Sequence, residues 1–168
     1  NGLTSPALVE RDLLVEAPGT PGRMAVLFRG SSAGLDTELP QHLVPPQGLR
    51  DLRPLRLARI GDANGDGFGD VLILARRDDP ADPGLQLLSY PGGLAGLSHE
   101  LVDAMPAPPL PDVGCAASGV GDLDGDGYTD VVVGAEDAPL WYRGGPRGLS
   151  RAPAQTLDVR LAGYRGGC

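Results

Sequence analysis

The chain has 168 residues, of which 41% are hydrophobic, so it is long enough for one domain with a sizeable core. Its net charge of −8 at pH 7, without a basic stripe, argues against nucleic-acid binding. The 26 glycines and 17 prolines punctuate short, regular apolar runs. Because an all-β fold with many turns explains both features, we expect that class. No apolar run reaches the length of a membrane span.

The first strand pattern in the chain begins at Asp12 and covers residues 12–17. Further apolar runs follow at 24–28 and 41–44, and a Gly-Leu pair, Gly34-Leu35, stands between them. Counting back from Asp12, loop positions 1, 3 and 5 are Thr4, Pro6 and Leu8, none of which is acidic. We therefore predict no metal site in this part.

An acidic loop then occurs twice, 60 residues apart, at 61–70 and 121–130. Each copy places oxygen-bearing side chains at loop positions 1, 3, 5 and 9, and position 7 would supply a backbone carbonyl. Such hard oxygen ligands suit Ca²⁺, and the intervening glycines permit the positive φ angles of a tight loop. The sequence thus predicts two calcium sites, with these ligands: Asp62, Asn64, Asp66, Phe68 and Asp70; Asp122, Asp124, Asp126, Tyr128 and Asp130.

These loops are not EF-hands, although they open in the same way. An EF-hand needs a bidentate Glu at position 12 and runs into a helix. Here position 12 is Ile73 or Val133, and each loop leads into a short β-branched run typical of a strand. The alternative is a pair of solvated Asp- and Gly-rich turns without metal. Two copies in the same register favour calcium.

Around each acidic loop the chain repeats one unit of strands. A strand at 55–60 or 115–120 precedes the loop, and strands at 70–75 and 85–90, or 130–135 and 140–142, follow it. After a Gly-Leu pair comes an outer strand, predicted at 99–102 and 155–157. Four antiparallel strands in a unit of about 60 residues are typical of a β-propeller blade. The predicted division is 1–48, 52–106 and 114–157, with 158–168 leading into the next blade or a partner.

The loop pattern Asp-x-Asn/Asp-x-Asp-Gly-x-x-Asp, followed by an apolar strand, resembles the FG-GAP repeats of integrin α-subunits. The match runs from Asp62 to Ala75 and from Asp122 to Ala135, although the family's Gly-Ala-Pro and Phe-Gly elements are altered. The resemblance implies a calcium-stabilised β-propeller used for binding, commonly with seven blades. Calcium would be structural, and the loop with four Asp would bind it more tightly than the loop that contains Asn64.

Three repeats do not close a ring, because propellers have about 4 to 8 blades. The next strand-like run begins at Val159, only two positions after Leu157, which is too short a distance to cross a blade. We therefore expect a partial propeller: either a piece of a longer chain or a protomer that other copies complete. Cys115 and Cys168 permit one disulfide; the alternative is that they stay unpaired or have partners outside this chain. Weak calcium loops suit an extracellular, cell-surface or periplasmic location.

The function that this pattern favours is an adhesion or binding module for a protein or glycan, with Trp141 and Tyr142 as candidate contact residues. A structural repeat of a surface assembly or filament is the alternative. An enzyme is less favoured, because no catalytic motif is present and His42 and His99 occupy equivalent places in two repeats. The sequence does not identify the ligand.

Overall fold

The computed structural model describes residues 12–16, 24–49, 51–77, 84–98, 103–108, 116–135 and 138–157. All regular structure in these residues is β, arranged as four antiparallel sheets. No helix in the described part of the chain could cross a bilayer. The all-β prediction is therefore confirmed, and the arrangement is consistent with propeller blades. The predicted number of blades and their boundaries stay predictions.

The first sheet has three described strands in the order β1-β2-β5, and a small two-stranded ribbon, β3-β4, lies between β2 and β5 in the chain. Leu13 pairs with Phe28, and Ala25 pairs with Leu43. The residues before Asp12, which in position correspond to the first strand and acidic loop of the other repeats, lie outside the described residues. The strand bounds are Leu13–Glu16 (β1), Ala25–Phe28 (β2), Gly30–Ser31 (β3), Gly34–Leu35 (β4) and Gln41–Leu43 (β5).

The second and third sheets each have four strands in simple sequential order. In both, the acidic loop joins the first strand to the second, as predicted. The second sheet consists of β6 (Leu52–Gly61), β7 (Asp70–Arg77), β8 (Leu85–Tyr90) and β9 (Asp103–Pro106). The third consists of β10 (Ala117–Gly121), β11 (Asp130–Val133), β12 (Leu140–Tyr142) and β13 (Gln155–Thr156).

One predicted strand was misplaced. The outer strand of the second sheet is β9, which begins at Asp103 and pairs Met105 with Leu87, whereas the prediction put it at 99–102, outside the described residues. The prediction followed the likeness of residues 99–102, His-Glu-Leu-Val, to residues 41–44, Gln-His-Leu-Val, and this likeness was misleading. The correct signal is spacing, because the outer strand begins six residues after the Gly-Leu leucine in all three repeats, at Gln41, Asp103 and Gln155.

The second sheet is buried on both faces, which explains the unbroken apolar run of β7. Alternate side chains of a strand point to opposite faces. Val71 and Ile73 pack with the first sheet, whereas Leu72 and Leu74 pack with the third. All four are at most 1% exposed. The chain therefore has two hydrophobic cores in series, one on each side of the middle sheet.

The first strands of the second and third repeats, β6 and β10, lie next to each other. β6 also contacts β1, the strand of the first repeat that corresponds to β7. Gly119 of β10 lies so close to the backbone of Ile60 that an added Cβ would be 2.6 Å from the Ile60 carbonyl oxygen. Glycine is needed there because the two strands meet backbone to backbone. Sheets that converge along their first strands are consistent with the radial arrangement of a propeller.

Candidate metal centre

The first aspartate of each acidic loop organises the loop backbone. The Asp62 Oδ1 atom accepts hydrogen bonds from the N–H groups of Gly65 (2.7 Å) and Asp66 (3.0 Å), and its Oδ2 atom accepts one from Gly67 (2.8 Å). Asp122 makes the same three bonds one repeat later, at the same three distances. The two loops thus have one conformation, as their sequences predicted. The glycines at loop positions 4 and 6 have positive φ in both copies.

These hydrogen bonds lower the pKa of Asp122, with the Gly127 N–H as the largest cause. The side chain therefore stays ionised and fixed at neutral pH. Because this carboxylate is already ionised and held in position, little conformational entropy is lost when it binds a cation.

The last aspartate of each loop is buried and joins two strands. Asp130 is 0% exposed; its Oδ1 atom accepts from the Gly144 N–H (2.9 Å) and its Oδ2 atom from the Leu123 N–H (3.0 Å). Asp70 accepts in the same way from Gly92 and Ala63. Each carboxylate therefore ties the start of the second strand to the turn after the third.

Asp12 makes the corresponding contact in the first repeat, where no metal was predicted. Its Oδ1 atom accepts from the Gly30 N–H at 2.8 Å. Because this bond forms without the other loop acids, the ninth-position aspartate has a structural role of its own. Sequence reasoning missed this role, although the isolated Asp12 before an apolar strand was its signal.

Carboxylates converge in the second loop. Oxygen atoms of Asp122, Asp124 and Asp130 all lie within 4.8 Å of one another. Asp126 instead accepts the Tyr128 N–H at 3.1 Å. In the first loop, Asn64 and Asp66 are joined by a hydrogen bond from the Asn64 Nδ2 atom at 2.8 Å. The structure thus gathers three of the four predicted acidic side chains of the Asp122 loop around one point.

The first loop holds an unfavourably placed charge. The pKa of Asp70 is raised to about 6, chiefly by burial and also by the nearby Asp66 and Asp62 carboxylates, against the lowering effect of the Gly92 and Ala63 N–H groups. A cation bound between these carboxylates would offset both the desolvation and the repulsion. The donor set, all hard oxygen, also matches Ca²⁺. The residues present therefore fit the metal.

The two loops also contact each other across the repeats. The Thr129 N–H donates to the Asp62 carbonyl (3.0 Å), and the Gly145 N–H donates to the Ala63 carbonyl (2.9 Å). An added Cβ on Gly65 would lie 2.6 Å from the Tyr128 ring. The Asp62 loop is therefore a packing surface for the next repeat as well as a candidate site.

The two aromatic candidates for ligand contact differ in burial. Tyr142 is 0% exposed and belongs to the core between the second and third sheets, so in this structure it is not available to a ligand. Its neighbour Trp141 points to the opposite face because the two are adjacent in β12. Arg143 lies over the indole, 5.2 Å from the ring centroid. Only Trp141 of the pair stays a candidate.

Cys115, Cys168 and His99 lie outside the described residues.

Comparison with known proteins agrees with this geometry. Residues 116–148, which contain the Asp122 loop and its flanking strands, match the FG-GAP repeat. The chain contains an integrin-like FG-GAP repeat. It is 30% identical over 129 residues to integrin alpha-PS2 of Drosophila melanogaster (72% of this chain, 9% of the relative). It is 35% identical over 85 residues to integrin alpha-IIb of Mus musculus (49% and 8%) and 31% identical over 123 residues to integrin alpha-10 of Homo sapiens (71% and 10%).

The resemblance that the loop motif predicted is therefore confirmed. The chain spans about a tenth of the length of these integrin α-subunits. The similarity to alpha-PS2 and alpha-10 extends over 129 and 123 residues, well beyond the single matched repeat.

Proposed function

We propose that this chain is a calcium-stabilised, extracellular part of an integrin-like β-propeller that acts as a binding or adhesion module. The observation that carries the proposal is the convergence of Asp122, Asp124 and Asp130 in a loop whose hydrogen bonds recur in the Asp62 loop. The similarity to integrin α-subunits supports the extracellular binding role. The proposal is of a module without enzymatic activity.

Calcium would serve folding rather than contact the ligand. Each ion would be held by the oxygens predicted from the sequence and would neutralise carboxylates that otherwise repel one another. Since the site exists only when the loop is folded, metal binding stabilises the folded state. The Asp122 loop offers one carboxylate more than the Asp62 loop, so we expect it to bind more tightly.

Isothermal titration calorimetry tests the calcium sites. The unsubstituted chain is expected to bind two Ca²⁺ ions, and Asp62→Ala and Asp122→Ala each to lose one, with the tighter site lost in Asp122→Ala. Asp36→Ala is the matched control, because Asp36 also accepts backbone N–H groups, from Glu38 and Leu39, but lies outside both loops. A chain that binds no calcium, or an Asp62→Ala variant that keeps both sites, would contradict the proposal.

For the ligand, we propose a protein, in keeping with the binding role of the module, and Trp141 is the candidate contact residue. The exposed part of the indole and the stacked Arg143 give it an apolar and cationic surface. Trp141→Ala should weaken binding to a protein ligand found by pull-down. Binding on a glycan array that is lost in Trp141→Ala would favour a lectin instead.

A structural repeat in an assembly is the second candidate, and the free face of the first sheet favours it. Leu13 and Val15 of β1 point away from the core and are 44% and 41% exposed. Apolar sheet faces of this kind are covered in propellers by a neighbouring blade, which further copies or other parts of a longer chain would supply. Sedimentation of the chain alone, and of Val15→Lys, would detect such association; a stable monomer in both would exclude self-assembly.

A further inference from the structure

In the Asp122 loop, one candidate calcium ligand already forms an ion pair with an arginine side chain. The Arg143 Nε atom lies 3.0 Å from the Asp124 Oδ2 atom. The Asp124 side chain is 19% exposed and that of Arg143 is 53% exposed, so the pair is partly shielded from water. Asp124 is also one of the three carboxylates that converge in the loop. Arg143 and a bound metal ion would therefore both interact with the Asp124 carboxylate.

The equivalent positions of the second repeat lack both charges. Tyr90 and Tyr142 pair with the residues that follow Asp70 and Asp130, so Pro91 corresponds to Arg143. At loop position 3, Asn64 corresponds to Asp124. The extra negative charge of the second loop is thus accompanied by an extra positive charge. Because the ion pair is partly exposed, the guanidinium offsets this extra negative charge only in part.

The backbone on each side of Arg143 is fixed, which holds the guanidinium near the loop. The Arg143 N–H donates to the Ser150 Oγ atom (3.1 Å), and the Arg143 carbonyl accepts the Ser150 N–H (2.8 Å). The Trp141 ring supports the guanidinium from one side at 5.2 Å. Stacking on the Trp141 ring restricts the guanidinium to positions close to Asp124.

We propose that Arg143 is a positioning residue that sets the calcium affinity of the Asp122 loop by competing with the ion for Asp124. The inference rests on the proposed calcium sites. Because calcium affinity depends on the charge of the ligand set, partial neutralisation of Asp124 weakens binding in this loop. Removing the guanidinium therefore tightens binding, which is the opposite of what loss of a supporting contact would do.

The decisive variant is Arg143→Gln, with calcium affinity measured by calorimetry. For a partly exposed ion pair we expect the dissociation constant of the Asp122 site to fall about two- to fivefold. Arg151→Gln is the matched control, because Arg151 lies in the same repeat as Arg143 and forms a similar exposed ion pair, with Asp103 of the second sheet. It should leave the affinity of the Asp122 site unchanged. Arg143→Lys keeps the charge and should stay close to the unsubstituted chain.

Two further measurements separate competition from a general structural effect. In an Asp124→Asn background, Arg143→Gln should change the affinity much less, because the shared carboxylate is gone. Trp141 is the only tryptophan, so its emission reports on the stacked guanidinium. Calcium should change that emission in the unsubstituted chain and change it less in Arg143→Gln.

The outcomes distinguish this inference from the proposal that it rests on. An unsubstituted chain that binds no calcium would overturn both. Calcium binding with equal or weaker affinity in Arg143→Gln than in Arg151→Gln would overturn the role of Arg143 alone and leave the calcium sites intact. Tighter binding confined to variants that keep Asp124 but lack the charge of Arg143 is the result that we expect.

Discussion

At the scale of single residues, aspartate has two separable uses in this chain. The first-position residues Asp62 and Asp122 each accept three backbone N–H groups and so hold the loop in shape. The ninth-position residues, including Asp12, accept the N–H of the glycine after the third strand. Because Asp12 keeps this bond where no metal is expected, the motif encodes hydrogen bonding in addition to the proposed metal ligation.

Glycine at loop position 4 gives a prediction about contact between the loops. Gly65 and Gly125 have nearly the same φ, +76° and +79°, so Ala at either position carries a similar backbone strain of about 1–2 kcal/mol. An added Cβ on Gly65 would also meet the Tyr128 ring at 2.6 Å, whereas nothing lies within 4 Å of one on Gly125. We expect Gly65→Ala to reduce the free energy of unfolding by about 1 kcal/mol more than Gly125→Ala.

Urea denaturation in the presence of a chelator measures this difference without any contribution from metal. Adding Tyr128→Ala to both variants is the control, since it should remove most of the difference. Equal losses in Gly65→Ala and Gly125→Ala would mean that the two loops do not pack against each other in solution.

At the scale of strands and sheets, two repeats have a tyrosine at the same position, but its hydroxyl group has a hydrogen-bond partner in only one of them among the described residues. Tyr90 at the end of β8 and Tyr142 at the end of β12 are both fully buried, each in a different core. The Tyr90 hydroxyl donates to the Val44 carbonyl at 2.9 Å and so ties the second sheet to the first. The Tyr142 hydroxyl has no hydrogen-bond partner among the described residues. Burial raises the pKa of Tyr142 to about 12 and also raises that of Tyr90.

Removing the hydroxyl of Tyr90 and removing that of Tyr142 should therefore change the free energy of unfolding differently. Tyr90→Phe loses a hydrogen bond between sheets, and we expect a loss of about 1 kcal/mol in the free energy of unfolding. Tyr142→Phe removes a buried polar group without a partner, so it should be neutral or stabilising. Thermal denaturation of the two variants, side by side, checks the contrast. A larger loss in Tyr142→Phe than in Tyr90→Phe would show that the Tyr142 hydroxyl has a partner in solution.

At the scale of the whole molecule, two cores in series make the middle sheet the part on which the other sheets depend. Its strand β7 contributes side chains to both cores, and the loop before it contacts the next repeat through Asp62 and Ala63. A change in the Asp62 loop should therefore affect the packing of two sheets rather than one. Calcium in that loop would act on the same contact.

This coupling predicts a global effect of calcium on stability. At a free concentration about 100 times the dissociation constant, one bound ion adds about 2.7 kcal/mol, which is expected to raise the melting temperature by about 5–10 °C for a chain of this size. Circular dichroism melts with calcium and with a chelator measure the shift. Magnesium is the control, because its strict octahedral geometry suits a flexible oxygen loop poorly. Identical melting temperatures in calcium and chelator would contradict a structural role of the ion.

Much of the architecture was readable from local sequence. The alternation of apolar residues, the glycines at loop positions 4 and 6 and the repeat of about 60 residues predicted strands, loop conformation and the FG-GAP resemblance. These features depend on backbone geometry over a few residues, which the residue types at those positions largely determine. The outer strand of the second sheet was misplaced because the likeness of residues 99–102 to residues 41–44 outweighed the constant spacing from Leu97 to Asp103.

The sequence by itself thus determined the class of fold, the register of the two acidic loops and the oxygen atoms offered to a metal. Only the tertiary structure decided which side chains meet across the repeats. Arg143 lies 19 residues after Asp124 in the chain, and Tyr128 lies 63 residues after Gly65, yet each pair is in contact. No local pattern encodes such contacts, because they depend on how whole sheets pack, and packing also buried Tyr142 fully while leaving Trp141 partly exposed.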